Sequence, residues 1–185
     1  MPFAVVFYLD EKSADPIRQI TRELARQGVA PYLHESGIPP HITLAIYEQL
    51  NCQPCEEKIA QLAGQTHGFD LTFSFLGIFQ TDNPVVFTAP TVTQELLNYH
   101  REIHALLKDD AVDAWHLYEP GIWVPHCSLA VDFKPDMLVP AVQICRTLQL
   151  PLTVPVESLG VVQFEPITRM YTYPFQRKTR TALDQ

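Results

Sequence analysis

The feature that most constrains this chain is a seven-residue pattern that it carries twice. Residues 40–46 read Pro-His-Ile-Thr-Leu-Ala-Ile, and residues 125–131 read Pro-His-Cys-Ser-Leu-Ala-Val. The apolar residues of both segments predict strands, in which alternate side chains share a face. The histidine, hydroxyl residue and alanine of each segment are therefore expected on one face: His41, Thr43 and Ala45 in the first, and His126, Ser128 and Ala130 in the second.

The secondary structure predicted around these segments repeats as well. Apolar runs indicate strands and apolar residues at helical spacing indicate helices, so each half reads strand–helix–strand–helix–strand. An α/β doubly wound sheet would also interleave helices with strands, but duplicated lobes with a cleft between them fit the repeat better. The predicted strands are 3–9, 41–47, 71–75, 85–87, 124–131, 159–164 and 169–175. The first predicted helix begins at Asp15-Pro16 and ends at Gly28. The other predicted helices are 55–63, which ends at Gly64, 94–108 and 136–149.

Composition restricts the partners and the location that we expect. The net charge of −8 argues against wrapping long nucleic acid, which needs a basic surface, but a few donors suffice for one small nucleotide. The basic run Arg177, Lys178 and Arg180 is interpreted as a solvated terminus. No apolar run reaches membrane-spanning length, so no membrane partner is expected. The four cysteines show no disulfide framework, which favours a cytoplasmic protein.

The tetrads His41–Leu44 and His126–Leu129 resemble the duplicated His-apolar-Ser/Thr-apolar signature of the two-histidine (2H) phosphoesterase superfamily. That superfamily includes the 2′-5′ RNA ligase-like proteins and cyclic nucleotide phosphodiesterases. The resemblance implies an α+β fold: a single bilobal domain over residues 1–185, with approximate repeats 3–80 and 85–165. Two antiparallel-type sheets would face a central cleft, with helices on the outside. It also implies metal-independent chemistry, without a cofactor, on 2′,3′-cyclic phosphates, 2′-5′ linkages or ADP-ribose cyclic phosphate.

The residue types fit that chemistry. Opening a cyclic phosphodiester requires one proton to be taken from water and another to be given to the departing oxygen, and histidine can do either near neutral pH. His41 and His126 are the predicted catalytic pair, and Thr43 and Ser128 are expected to donate to the phosphate oxygens. The sequence leaves open which histidine is the acid, and whether the reaction runs as hydrolysis or ligation.

Further residues are candidates for substrate binding. Aromatic rings stack on nucleobases, and an arginine can bind a phosphate. Tyr47 is expected on the strand face of His41. The candidates are Tyr47, Trp123, Arg169, Tyr171 and Tyr173, although core packing would also account for the aromatic ones. The expected partner is a small nucleotide or an RNA terminus with a cyclic phosphate, bound by a monomer.

Three alternatives remain open at this point. Cys52 and Cys55 precede a predicted helix, where a low-pKa thiolate could support thiol-redox activity. His100 and His104 are four residues apart on a predicted helix and could share a metal ion, but no third ligand is evident, so we predict none. The cleft could also bind a nucleotide without turning it over.

Overall fold

The computed structural model describes residues 1–164 and 166–176, and the basic run from Arg177 lies outside them. Eight strands form one antiparallel sheet with the order β5-β2-β1-β7-β3-β4-β6, and β8 pairs with β7. The strands are β1 (Phe3–Leu9), β2 (His41–Leu50), β3 (Phe69–Phe79), β4 (Val85–Pro90), β5 (Ala111–Ala114), β6 (Cys127–Ala130), β7 (Leu152–Gln163) and β8 (Thr168–Pro174). The helices are α1 (Asp15–Arg26), α2 (Tyr32–Glu35), α3 (Cys52–Gln65), α4 (Gln94–Leu107) and α5 (Leu138–Cys145).

Strand β7 joins the two halves of the chain into one sheet. Its first residues, 152–156, pair with β3, and residues 156–163 pair with β1. Residues 158–163 also pair with β8. Our prediction of two separate sheets is therefore wrong, because a single long strand shares ladders with strands of both halves. The α+β class is confirmed.

The predicted strand over 159–164 was too short because two prolines precede it. Pro155 lies inside β7, opposite Asp70 of β3. The ladder with β1 ends at Val156, and just past its end the Pro155 carbonyl accepts from the Asp10 N–H. The missing N–H of Pro155 therefore faces a position without a ladder, where a proline costs no ladder hydrogen bond.

The helices cover one face of the sheet and enclose the main core. Ile17, Ile20 and Leu24 of α1 are buried, and the chain leaves this helix through Gly28 at φ 67°. The Thr93 side chain caps α4 by accepting from the Leu96 N–H at 3.2 Å. Helix α3 continues past the predicted stop at Gly64 to Gln65. No helix within the described residues has the length and apolar character needed to span a membrane.

Strands β2 and β6 each contain a one-residue bulge at the same place in the repeated pattern. The partners of β1 change from Ala45 to Thr43 between Val5 and Val6, so Leu44 is the extra residue. The partners of β4 change from Ala130 to Ser128, so Leu129 is the extra residue. In both strands the bulge falls on the third residue after the histidine.

These bulges correct two predictions about side-chain direction. An extra residue reverses the alternation of faces beyond it. Ala45 and Ala130 therefore pack in the main core rather than beside the histidines. Tyr47 also turns into this core, opposite Phe3, and not onto the face of His41. The histidine and hydroxyl residue of each segment precede the bulge and keep the predicted direction.

We expect Gly160→Ala to destabilise the protein by about 1–3 kcal/mol, because an added methyl group there has no room. A Cβ at Gly160 would lie 2.8 Å from the Tyr171 carbonyl oxygen and 2.9 Å from the Tyr8 ring. The control is Gly64→Ala, where a Cβ meets nothing within 4 Å. Removing a helical glycine should stabilise by about 0.5–1 kcal/mol. Urea unfolding measures both changes, and equal effects would contradict the crowding of Gly160.

Candidate active site

The two histidines of the repeated pattern are held by the same local hydrogen bond. His41 Nδ1 lies 2.8 Å from the carbonyl oxygen of Pro39, and His126 Nδ1 lies 2.7 Å from that of Val124. A carbonyl oxygen can only accept, so Nδ1 carries the hydrogen in both rings. Nε2 is then the nitrogen of each imidazole that can accept or donate a proton elsewhere.

Ser128 lines a cavity with each of the two histidines. A small cavity beside α1 is lined by His41 and Ser128, and a larger cavity is lined by His126 and Ser128. Thr43 is half-buried and lies opposite Val6 of β1, as His41 lies opposite Tyr8, so Thr43 and His41 share a face. The structure thus brings both histidines and both hydroxyl residues to one side of the sheet.

Both imidazoles are less basic than an ordinary histidine. Burial lowers the pKa of His41, the bond to Pro39 raises it, and the positive charge of His126 lowers it again. Burial also lowers the pKa of His126, against the opposing effect of the Val124 carbonyl. A positive charge on His126 therefore disfavours the protonation of His41.

The strands that carry the histidines touch, although no ladder joins them. Strands β2 and β6 lie far apart in the sheet order, yet their residues are neighbours. Burial raises the pKa of the Cys127 thiol to about 12, against the opposing effect of the His41 backbone beside it. The Trp123 indole Nε1 donates to the Thr43 carbonyl oxygen at 3.0 Å. The sheet therefore curls so that β2 and β6 lie side by side.

His126 has an aromatic and apolar environment. Its ring centroid lies 4.9 Å from that of Phe79, 5.3 Å from that of Phe87 and 6.5 Å from that of Tyr118. The adjoining cavity has a volume of about 660 Å³. Its apolar lining includes Ile78, Val85, Leu117, Ile122, Val124 and Val131, and among the described residues no Asp, Glu, Lys or Arg lines it.

The surroundings of His41 are more polar. The Tyr8 ring lies 6.2 Å from the His41 ring, and the Arg169 guanidinium lies 5.2 Å from the Tyr8 ring centroid, in a cation–π contact. Both residues line a cavity of about 500 Å³ that also reaches Pro39 and Ser158. Glu11 and Glu157 line this cavity as well, so the His41 side of the site carries charges of both signs, whereas the wall near His126 is apolar.

A third bulge separates Arg169 from the tyrosines that follow it. Tyr171 pairs with Val161 and Arg169 with Val162, so Met170 is the extra residue of β8. Tyr171 and Tyr173 pack against the main core, and the Tyr173 hydroxyl donates to Glu56 of α3 at 2.7 Å. These two tyrosines do not face the histidines, which overturns their grouping with Arg169.

The other two aromatic candidates are also buried away from the cleft. Tyr47 is 4% exposed, and its hydroxyl lies 3.3 Å from His104 Nδ1 on α4. Trp123 is 8% exposed and stacks on His100, with ring centroids 4.0 Å apart. Neither ring is accessible for stacking on a nucleobase.

Sequence reasoning missed Tyr8 and Tyr118. Tyr8 is the last but one residue of a strand predicted only as buried, and its pairing with His41 is a tertiary contact. Tyr118 belongs to a short 3-10 turn, His116–Tyr118, that has no periodic signal. Phe79, the last residue of β3, also contacts His126. Tertiary contacts bring these rings to the histidines.

The geometry does not favour a thiol or metal site. Burial raises the pKa of Cys55 to about 11, so its thiol is protonated, whereas a redox thiol needs a low pKa. His100 donates from Nε2 to the Tyr118 carbonyl at 2.9 Å, and His104 Nδ1 contacts Tyr47. In the described part of the chain, no three His, Cys, Asp or Glu side chains are grouped to hold a metal ion.

Comparison with known proteins gives the family. A model of the 2′-5′ RNA ligase superfamily matches residues 36–166, which span both histidine segments and more than half of the chain. The protein therefore belongs to this superfamily, the two-histidine phosphoesterases. No curated protein matches the sequence.

Solved structures share the fold along nearly the whole chain. TT0787 of Thermus thermophilus has a TM-score of 0.61 at 18% identity, over 96% of this chain and 100% of that one. LigT of E. coli complexed with 3′-AMP has a TM-score of 0.60 at 17% identity, over 95% and 99%. Usb1 of Kluyveromyces marxianus has a TM-score of 0.55 at 13% identity, over 94% and 98%.

We expect the stability of the protein to depend on pH through His100. Burial, together with the nearby His104, lowers the pKa of this 2% exposed side chain to about 4. An unfolded histidine has a pKa of about 6.5, so the unfolded state binds more protons between these values. The stabilisation that the neutral His100 gives to the folded state is therefore present above pH 6.5 and is lost as the pH falls towards 4.

The variant His100→Gln tests this dependence. Glutamine keeps a donor for the Tyr118 carbonyl but does not titrate in this range. Between pH 7 and 4, the variant should lose about 3 kcal/mol less free energy of unfolding than the wild type does. Urea unfolding followed by circular dichroism measures the difference, and parallel losses in both proteins would be the contrary result.

Proposed function

We propose that this protein is a metal-independent phosphoesterase that acts on 2′,3′-cyclic or 2′-5′-linked nucleotide phosphates. His41 and His126 would act as the acid–base pair. The observation that carries this proposal is the matched arrangement of the two imidazoles: each donates Nδ1–H to the carbonyl two residues before it, and Ser128 lines a cavity with each ring.

The proposed reaction uses the free Nε2 of each ring. One imidazole, neutral, takes a proton from a water that attacks the phosphorus atom. The other, protonated, gives a proton to the ribose oxygen that leaves, and the P–O bond to that oxygen breaks. The lowered pKa values favour a neutral base, and the negative charge of a bound phosphate favours the cationic form of the acid. The near symmetry of the pair allows either ring to begin as the base.

Ser128 and Thr43 are the proposed phosphate-binding residues. Each side chain lies two positions after a histidine on the same strand face, before the bulge. A hydroxyl there can donate to a non-bridging oxygen as negative charge develops on the phosphoryl group. Arg169 would add a positive charge on the His41 side, where it lies over the Tyr8 ring.

The apolar cavity beside His126 is the proposed nucleoside subsite. The described residues of its walls include no Asp, Glu, Lys or Arg, and the rings of Phe79 and Tyr118 offer stacking surfaces for a base. Proteins with this fold have been solved with small nucleotides: LigT with 3′-AMP and with NADP+, and Usb1 with uridine monophosphate. We therefore propose a single nucleotide or the terminal nucleotide of an RNA as the ligand.

We also propose that the chain is one domain with an internal duplication, approximately 3–80 and 85–165. The bulge in the β1–β2 ladder falls between Val5 and Val6, and the bulge in the β4–β6 ladder between Val86 and Phe87. In both ladders the extra residue follows the hydroxyl residue of the repeated pattern. The matched bulges support a common origin of the two strand pairs.

Replacing either histidine should abolish most turnover. We expect His41→Ala and His126→Ala each to reduce kcat for 2′,3′-cyclic AMP by about 10²–10⁴-fold, because each removes one proton-transfer group. His67→Ala, an exposed histidine in the loop before β3, is the control and should keep wild-type activity. Turnover is measured by chromatography of the AMP formed.

Two results would argue against this assignment. Wild-type kcat in both variants would exclude the acid–base pair. A wild-type protein that binds AMP in a calorimetric titration but turns over neither the cyclic nor the 2′-5′-linked substrate would favour the non-catalytic nucleotide-binding alternative.

The nucleoside subsite is tested with Leu117→Asp. Leu117 is 70% exposed at the mouth of the apolar cavity, and a carboxylate there would need to be desolvated against a bound base. We expect KM for 2′,3′-cyclic AMP to rise by about 10-fold with kcat little changed, as for a loss of uniform binding. Val139→Asp on α5, where Val139 is 65% exposed, is the matched control. An equal KM in both variants would contradict the assignment of this cavity as the nucleoside subsite.

A further inference from the structure

We propose that Trp123 is a positioning residue that fixes the distance between the two catalytic histidines. This inference rests on the proposed function, because it concerns how the acid–base pair is held. Trp123 is buried and touches neither cavity of the site, so its role differs from the substrate stacking expected from the sequence.

The first observation is the bond from Trp123 to the strand of His41. The indole Nε1 donates to the Thr43 carbonyl oxygen at 3.0 Å. Strand β5 pairs with β2 only over Tyr47 to Leu50, so it does not cover Thr43. The indole therefore hydrogen-bonds to β2 at a position that β5 does not cover, next to the bulge at Leu44.

The second observation is the position of Trp123 relative to His126. The next residue, Val124, supplies the carbonyl that accepts from His126 Nδ1 at 2.7 Å. The Trp123 N–H is itself bonded to the Glu119 carbonyl at 3.1 Å. A fixed indole thus fixes the backbone that orients the His126 ring, and it does so relative to the strand of His41 and Thr43.

The third observation is the support of the indole by α4. The His100 and Trp123 rings are parallel within 2° at a centroid separation of 4.0 Å. His100 is 2% exposed, and its Nε2 donates to the Tyr118 carbonyl at 2.9 Å. The same helix side chain therefore holds the plane of Trp123 and the turn that carries Tyr118 into the apolar cavity.

These contacts matter for the reaction because proton transfer depends steeply on distance. Both imidazoles must reach oxygens of one phosphoryl group at hydrogen-bond distance, and a misplacement of about 1 Å can cost about 10²-fold in rate. The strands β2 and β6 share no ladder, so a side-chain bond between the two motifs replaces the register that a ladder would impose.

The test compares Trp123→Phe with Trp115→Phe. Phenylalanine keeps an aromatic ring for the His100 stack but removes the indole N–H. Trp115 also donates from Nε1 to a residue of β2, to Glu48 at 2.7 Å, but it is 39% exposed and lies outside the site. The two variants therefore lose the same kind of donor to the same strand.

With 2′,3′-cyclic AMP as substrate, we expect kcat of Trp123→Phe to fall by about 10-fold or more. KM and the Kd for 3′-AMP should stay within about two-fold of wild type, since the binding groups remain. Trp115→Phe should keep wild-type kcat. This comparison separates positioning from general destabilisation. Partial unfolding would lower the number of 3′-AMP binding sites together with kcat, whereas a positioning role lowers kcat in molecules that still bind 3′-AMP.

Each outcome has a defined meaning. Unchanged kcat in a folded Trp123→Phe, or an equal fall in Trp115→Phe, would overturn the inference while leaving the proposed function intact. If Trp123→Phe does not fold, His100→Gln replaces it, and a wild-type kcat in that variant would overturn the inference. A wild-type protein without turnover would overturn the proposed function and this inference with it.

Discussion

The site depends on the contact between two strands that share no ladder. Strand β7 pairs with β1, β3 and β8, and thereby holds both halves of the chain in one sheet. The sheet curls until β2 and β6, which are distant in its order, lie side by side. The bond from Trp123 to Thr43 and the contact of Cys127 with the His41 backbone close the gap between them. Without this closure, the two histidine segments would be unrelated parts of one sheet.

Matched bulges give each motif strand two functions. Before the bulge, the histidine and the hydroxyl residue face the cleft, and after it the alanine turns into the core under the helices. One short strand can therefore present reactive groups and still contribute to the apolar core on its far side. Bulges are used in this way to redirect side chains beside active sites.

The environment of the two histidines is similar in hydrogen bonding and different in polarity. Each ring is oriented by the carbonyl two residues before it, so both present Nε2 to the cleft. Around His126 the walls are aromatic and aliphatic, whereas Tyr8 and Arg169 lie on the His41 side. A nucleotide has the same asymmetry, with a base at one end and a phosphate at the other. This complementarity connects the family to the ligand that we propose.

The sequence by itself determined the local features: the strands of the repeated pattern, the helical periodicity of α1 and α4, and the direction of His41, Thr43, His126 and Ser128. These follow from side-chain alternation and periodicity within a few residues, together with the resemblance carried by the two tetrads. Only the tertiary structure decided that β7 joins both halves in one sheet, that Tyr47 and Trp123 are buried, that Tyr171 and Tyr173 pack against the main core, and that Tyr8 and Tyr118 border the site. The physical reason is that bulges and strand register depend on partners far away in the chain, and one extra residue is enough to reverse the face of every residue after it.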